Sequence, residues 1–373
     1  MCQSMKYHHN VSDEICTKDS IASYLNKDSV SICQLLYFLD IDDIASYVER
    51  SYYADKDWHF RYKISSMIKL IVVKSFRNLS FEKTISTLTN QEAKLLYFED
   101  ENGTINLPSH ATLHHFVKYR LGKEGFNEIM FRIGKKISRI TKIRDLKTDS
   151  TPLEASRYDR YADYNPHYKC KMDKAHITMI GTLPIYMTHT KGAANDSPEL
   201  KKHIDVLVKM GVDIDTYALD GGYDSFNNHA DVWYKLKAKP VIAYSSDSKV
   251  HNEGTMKRID HWVNKMWKIG GSIHMKYENK LRFLYENGRK KQVGMHLRNK
   301  NIEDEGFEEE YSKRAECERI HKNIKWTVKF DIRGMKNASK EMYSIMKFVT
   351  YQLLVTANLQ NKVKQTNSFA KYV

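Results

Sequence analysis

Four side chains in the run YSKRAECERIHKNIK (311–325) have the types and spacing to act on a phosphodiester. Tyr311, Arg314, Glu318 and Lys325 stand at offsets 0, 3, 7 and 14. At about 100° per residue they share a stripe about 60° wide on one side of a helix. A carboxylate between a phenol, a guanidinium and an ammonium can hold a metal and a phosphodiester together. The alternative is a surface helix whose charges pair across turns, which is the commoner arrangement for any single such helix.

Two more carboxylates stand out by position. Asp149, in KTDST, and Asp220, in ALDGGYDS, are each expected at the end of a strand. A carboxylate there lies at the edge of an α/β sheet where ligands bind. Either could instead be a turn former that bonds its own backbone. Three carboxylates meeting at one point repel one another unless cations neutralise them. An all-oxygen donor set suits Mg²⁺ or Mn²⁺. Two such ions can clamp a scissile phosphate, one activating the attacking oxygen and one stabilising the leaving oxygen.

The elements that must position these groups can be read in part. Ile64, Met67, Ile68, Ile71, Val72 and Phe76 recur at helical spacing, as do Phe126, Ile129, Met130, Ile133 and Ile137. A helical domain is therefore expected over 36–141, after a loosely ordered lead-in at 1–35. Arg61, Lys63, Lys69, Lys74, Arg77, Lys118 and Arg120 would make its face either solvated or a docking surface for DNA. His110, His114 and His115 cluster there, but no third ligand accompanies the i, i+4 pair, so packing or phosphate contact is the better reading. From about 143 the period changes to that of strands. RDLKTDST, AHITMIGT and LPIYMTHT are strand-like, the last two meeting as a hairpin near Thr182–Leu183. Helix, strand, helix and the strand KPVIAYSS follow. This order implies an α/β fold: a mixed sheet with flanking helices over 142–248 and 307–362, ribonuclease H-like in arrangement. Residues 249–306 alternate apolar and polar around Asn287–Gly288 and predict a β-rich basic insertion before the Glu318 helix. Residues 363–373 are expected to fray.

A chain of 373 residues needs two or three cores, and its 41% hydrophobic content suffices to build them. The net charge of +14 points to a polyanionic partner, nucleic acid before an anionic membrane. No run of eighteen apolar residues exists, and the first residues lack a signal-peptide core. Five scattered cysteines form neither a disulfide framework nor a C-x-x-C site, which fits a reducing cytoplasm.

The spacing Tyr-x₂-Arg-x₃-Glu-x₆-Lys resembles the YREK signature of DDE transposases from bacterial and archaeal insertion sequences. The contexts of Asp149 and Asp220 resemble the first two acids of that family, and the likeness spans most of 60–360. The resemblance implies that Asp149, Asp220 and Glu318 bind two Mg²⁺ ions, with Mn²⁺ able to substitute. It implies that Arg314 and Lys325 contact the DNA backbone and that Tyr311 bonds a terminal phosphate. Relatives with a hairpin intermediate stack a tryptophan of the insertion on a flipped base, which makes Trp262 and Trp267 candidates, against core packing. Lys171, Lys174 and His176 would line a DNA channel or a solvated strand edge. Tyr223 and Asp224 would shape the turn after Asp220. The partners implied are double-stranded DNA, at terminal inverted repeats and target, and a second copy of the chain, on nucleoid DNA in the cytoplasm. The implied activity is cleavage at element ends and strand transfer. A nuclease that cuts without joining and a repurposed DNA-binding protein are the alternatives.

Overall fold

The computed structural model describes residues 18–27, 30–53, 61–267, 275–330 and 337–372. Residues 1–17 of the expected lead-in and 268–274 of the expected insertion lie outside them. Contacts divide the chain into two compact units. One comprises Met1–Ile129, Asn323–Phe330 and Met346–Val373; the other comprises Met130–Lys322 and Asp331–Ile345.

The first unit is built from helices. They are α1 (Lys18–Leu25), α2 (Ile32–Tyr37), α3 (Asp42–Tyr53), α4 (Ile64–Phe76), α5 (Phe81–Ser86), α6 (Asn90–Leu95), α7 (His110–His115) and the start of α8 (Gly122–Ile140). Their starts follow from local chemistry. Ser31 and Thr89 form capping boxes with Gln34 and Glu92, and Ser80 and Ser109 cap α5 and α7 through their hydroxyls. The lead-in is thus already helical from Lys18. The expected basic face is partly consumed by packing. Lys69 is buried against the Tyr97 ring, Lys74 lies over Phe81, and Arg77 pairs with Glu92.

The C-terminal residues complete this unit. Gln360 exchanges hydrogen bonds with the Asp40 backbone, Asn361 donates to the Phe38 carbonyl at 3.2 Å, and Lys371 donates to the Leu25 carbonyl at 2.6 Å. Val363, Phe369 and Tyr372 are buried, so the expected frayed tail is packed. Its three apolar anchors outweigh the polar residues between them.

The second unit holds a mixed six-stranded sheet. Its strands are β1 (Asp145–Glu154), β2 (Asp163–Asn165), β3 (Cys170–Ile180), β4 (Leu183–Lys191), β5 (Thr216–Leu219) and β6 (Lys239–Ile242). The order is β2-β3-β1-β5-β6, with β4 also paired to β3. β1, β3 and β4 are antiparallel neighbours, whereas β5 and β6 run parallel to β1. The β3–β4 hairpin turns at Gly181, whose φ of +56° favours glycine. Helices α9 (Glu199–Met210) and α10 (Phe226–Leu236) connect β4 to β5 and β5 to β6. Leu146, Ile180 and Tyr217 are buried on one face of the sheet, the face whose Thr178 bonds His203 of α9, and Ile177 and Met179 are buried on the other. Gly134 of α8 lets that helix approach the sheet, since a Cβ there would fall 2.1 Å from the Ile185 carbonyl oxygen.

The expected β-rich insertion is helical where it is described. It comprises α11 (Met256–Trp267), α12 (Tyr277–Glu286) and α13 (Lys290–Glu303). Ile259 and Val263, Leu281 and Leu284, and Val293 and Leu297 recur at three or four residues and form one buried cluster with Ala230. That helical spacing overrides the apparent alternation. Asn287–Gly288 joins two helices, with Asn287 as the C-cap of α12 and Gly288 at φ +79°. Gly294 allows α13 to press on α10, where a Cβ would fall 1.7 Å from the Phe226 carbonyl oxygen.

Then come α14 (Phe307–Ser312), a 3₁₀ turn (Lys313–Ala315), α15 (Glu316–Thr327) and α16 (Asn337–Gln360). The expected single helix over 311–325 is therefore interrupted at Arg314. No helix among the described residues is long and apolar enough to cross a membrane.

Candidate active site

The sheet register brings Asp149 and Asp220 together. Thr148 pairs with Leu219 across parallel β1 and β5, so the next residue on each strand is Asp149 and Asp220. Neighbouring strands lie about 4.8 Å apart, so the two carboxylates start from adjacent positions. Asp220 directly follows β5, where its carboxylate accepts from the Gly221 N–H. Asp149 does not end its strand. β1 continues to Glu154 because β3 keeps pairing with it beyond the end of β5, out to Met172.

Arg314 spans the pair. Its Nη1 lies 3.1 Å from Asp149 Oδ2 and 3.9 Å from Asp220 Oδ2. Tyr311 flanks the guanidinium, which lies 5.5 Å from its ring centre, while the Tyr311 ring stacks on Phe307. Glu318 is exposed in the first turn of α15, and His321, one turn further, holds Nδ1 4.0 Å from Asp149 Oδ2. Burial pushes the Asp149 carboxyl up to about 6; Arg314 opposes this, while the charges of Asp220 and Glu318 reinforce it. Asp149 is thus a buried carboxylate whose charge one guanidinium offsets only in part.

Glu316 takes a different part. Its Oε2 lies 2.6 Å from Nζ of the buried Lys147, which also reaches Asp145 at 3.1 Å. Lys325 lies later on α15, in the stretch grouped with the first unit.

A buried polar network fixes the strands beneath the carboxylates. The Thr148 hydroxyl shares hydrogen bonds with Thr178 (2.6 Å) and Tyr217 (2.7 Å), and His203 bridges Thr178 and Thr188. Burial holds His203 well below the usual imidazole range and His176 down to about 4, so both rings are neutral at pH 7. Beside Asp149, Ser150 donates to Asp196 at 2.9 Å, and Lys174 donates to the same carboxylate at 2.6 Å and to the Ala194 carbonyl.

The three side chains expected to line a DNA channel are engaged within the fold. Lys174 is occupied by Asp196, His176 is buried between Tyr223 and Thr190, and Lys171 donates to the Asp159 carbonyl at 2.6 Å. Trp262 packs on the insertion core, donates to Glu253 and carries Arg289 3.9 Å from its ring centre; Trp267 is 43% exposed and rests against Phe283. Neither is brought into contact with the carboxylates by any described interaction. Tyr223 is buried, with its hydroxyl 2.8 Å from His176 Nδ1. Asp224 binds Arg298 of α13 through two nitrogens at 2.9–3.1 Å and His229 at 3.1 Å, tying the turn after Asp220 to the insertion. The sequence offered no signal for Arg298. His321 could have been found three residues after Glu318 on the same helix.

Among the described residues, no three His, Cys, Asp or Glu side chains stand close enough to share one ion. Arg314 lies between the two aspartates instead.

A mixed sheet with two aspartates at adjacent parallel positions, followed by a helix whose first turn is acidic, defines a class. The chain belongs to the transposase DDE domain family, whose model matches residues 141–351, more than half of its length. A solved piggyBac transposase synaptic complex with hairpin DNA is similar at 12% identity, over 86% of this chain and 80% of that one, with a TM-score of 0.30. No curated protein matches the chain.

Proposed function

We propose that the chain is an insertion-sequence transposase of the YREK type. It cleaves DNA at the ends of its element and transfers the freed strand into target DNA, acting as a dimer on paired ends. The observation that carries this is the placement of Asp149 and Asp220 at adjacent strand positions, with Arg314 between them and the charge of Glu318 felt at Asp149. A ribonuclease H-like reading of the sheet is consistent with its order, antiparallel β3 and β4 beside parallel β1, β5 and β6.

The family generally uses divalent metal ions. The residues here fit such ions by donor chemistry. Three carboxylates provide hard oxygen ligands, and the raised Asp149 pKa marks a negative charge in need of a cation. Asp149, Asp220 and Glu318 would hold two ions, Mg²⁺ or Mn²⁺. When bound, these ions supply Lewis-acid stabilisation of the charge that develops on the attacked phosphate.

The chain's own residues do the rest. Arg314 offsets part of the charge of the aspartate pair in the metal-free protein and presents a forked donor matched to phosphate oxygens. Tyr311 covers one side of that guanidinium and keeps it aimed. The Thr148–Thr178–Tyr217 network holds β1 and β5 in register, so the two aspartates need little reorganisation. The pairing of Glu316 with Lys147 supports reading Glu318 as the third carboxylate. Lys325 would add a point charge toward the DNA backbone.

The test is cleavage and joining of DNA carrying the element's ends, with Mg²⁺ present. Asp149→Ala, Asp220→Ala and Glu318→Ala should each lose cleavage while still binding the ends. Full cleavage by Glu318→Ala would remove the assignment. Cleavage without joining of precut ends would identify a nuclease instead.

A further inference from the structure

Residues 155–169 follow the strand that carries Asp149, and four of the five exposed tyrosines among the described residues lie there. Tyr158, Tyr161, Tyr164 and Tyr168 are 74, 50, 56 and 47% exposed. Exposed large aromatics in such density on a folded surface mark a contact site. Arg157, Arg160, His167 and Lys169 are exposed between them. Of the three carboxylates from Glu154 to Lys171, that of Asp159 is buried as a side chain and Asp163 is half-buried, which leaves only Glu154 exposed. The accessible surface is therefore aromatic and cationic.

The backbone beneath the rings is pinned. Lys340 of α16, itself fully buried, pairs with Asp159 at 2.6 Å, and Lys171 donates to the Asp159 carbonyl. Against burial, which pushes it up, Lys340 holds the Asp159 carboxyl below its usual range. Asn165, buried, donates to the Gly192 carbonyl at 2.7 Å and accepts from the His167 and Tyr168 N–H groups. A loop held by a buried ion pair and a buried amide presents its exposed rings at little further entropic cost on binding. Tyr161 and Tyr164 have no ring or cation partner among the described residues, so their faces are open to a planar ligand. The Tyr168 hydroxyl, raised first by burial, also feels the charges of Asp149, Asp196 and Asp220, which puts this end of the segment within the field of the carboxylates.

We propose that segment 155–169 is a stacking platform for unpaired nucleotides of the DNA strand on which Asp149, Asp220 and Glu318 act. The inference rests on the DNA-transposase reading above. Aromatic faces take bases of any sequence, and the interleaved arginines and lysine meet the phosphates between them. A fully paired duplex offers no free base faces to such rings. The platform therefore favours substrates whose strands are parted at or beside the scissile bond.

The test is binding of the full chain, in EDTA, to a blunt duplex and to the same duplex with a four-nucleotide unpaired overhang, read by fluorescence anisotropy. The wild type should prefer the overhang. Y161A/Y164A should lose about tenfold in overhang affinity per ring and keep its blunt-duplex affinity. Y161F/Y164F, which keeps both rings, should retain the preference. Equal loss on both substrates would overturn the proposal, as would no loss on either. A change in sedimentation of the free protein caused by Y161A/Y164A would also overturn it, by assigning the rings to self-association. Wild-type cutting with Mg²⁺ alongside overhang-blind binding would sink the platform alone. No cutting of any DNA by the wild type would remove the underlying reading, and the platform with it.

Discussion

Asp149→Asn should stabilise the metal-free protein, and by an amount that grows with pH. The Asp149 carboxyl titrates near 6 in the folded chain against an ordinary value of 3.8. Between those values the native state binds the proton more tightly than the unfolded chain, so stability falls as pH rises and the loss is complete above about 6. The difference of about 2.2 units corresponds to about 3 kcal/mol at pH 7.5, and to about 1 kcal/mol at pH 4.5, where ionisation is only beginning. The attraction of Arg314 is already contained in that pKa, so it is not subtracted again. An Asn amide carries no charge and can still accept from the Ser150 N–H, which now bonds Asp149 at 3.0 Å. At about 2–4 °C per kcal/mol, Asp149→Asn should melt about 6 °C or more above wild type at pH 7.5 and about 2 °C above it at pH 4.5, both in EDTA. Added Mg²⁺ should raise the melting temperature of the wild type and not that of Asp149→Asn. Scanning calorimetry at the two pH values reads all of this. An Asp149→Asn protein no more stable than wild type at pH 7.5 would refute the idea that the site holds an undercompensated negative charge.

Two further perturbations probe the supports of the site. Arg298→Ala removes the fork that holds Asp224, four residues after Asp220, and should cost about 3 kcal/mol while slowing single-turnover cleavage at least tenfold with unchanged DNA affinity. Arg298→Lys should not restore the rate, because one ammonium cannot reproduce bonds to both Asp224 oxygens and Ser248. Lys340→Met leaves Asp159 and Asp173 buried without their shared cation, and urea unfolding should show a loss of about 3–5 kcal/mol. Combining it with Asp159→Asn should recover part of that loss, since the two residues are coupled.

What could be read from sequence depended on whether the deciding partner was near in the chain. The β3–β4 hairpin, α9, α10 and the position of Asp220 after β5 follow from local period and turn chemistry. The length of β1 does not, because its last residues are held by β3 some twenty residues later. In the insertion, charged residues at every second position mimic strand alternation, while the pairs Leu281–Leu284 and Val293–Leu297 have the helical spacing that the fold follows. The 311–325 stripe presumed an unbroken helix, yet Arg314 reaches the aspartates from a 3₁₀ turn. Spacing alone separates Glu316 from Glu318 in the sequence, whereas the partner that engages Glu316 in the fold, Lys147, is 169 residues away. Lys171, Lys174 and His176 were exposed cations in sequence and are engaged side chains in the fold, because Asp196, Asp159 and Tyr223 arrive from other elements. The tyrosines of 155–169 recur at spacings of three, three and four, a helical period, yet they lie in turns and in β2. Nothing local distinguishes a buried tyrosine from an exposed one, and only the placement of Lys340 and Asn165 shows why their backbone stays put while the rings face solvent.

The first helical unit is closed by its last residues: Gln360, Asn361 and Lys371 bond the backbone at Asp40, Phe38 and Leu25. These contacts span 320 residues or more. A ribosome adding about 5–20 residues per second needs roughly 15–60 s to cover that distance. Through that interval the opening helices exist without their closing partners, whereas most of the sheet that bears Asp149 and Asp220 has already been synthesised. The strands can therefore begin to pair before the helical unit can close, and Lys340 joins Asp159 and Asp173 only when α16 has emerged. A transcript cut short before the final helix would yield a chain with its carboxylate-bearing strands made and its helical unit unable to close.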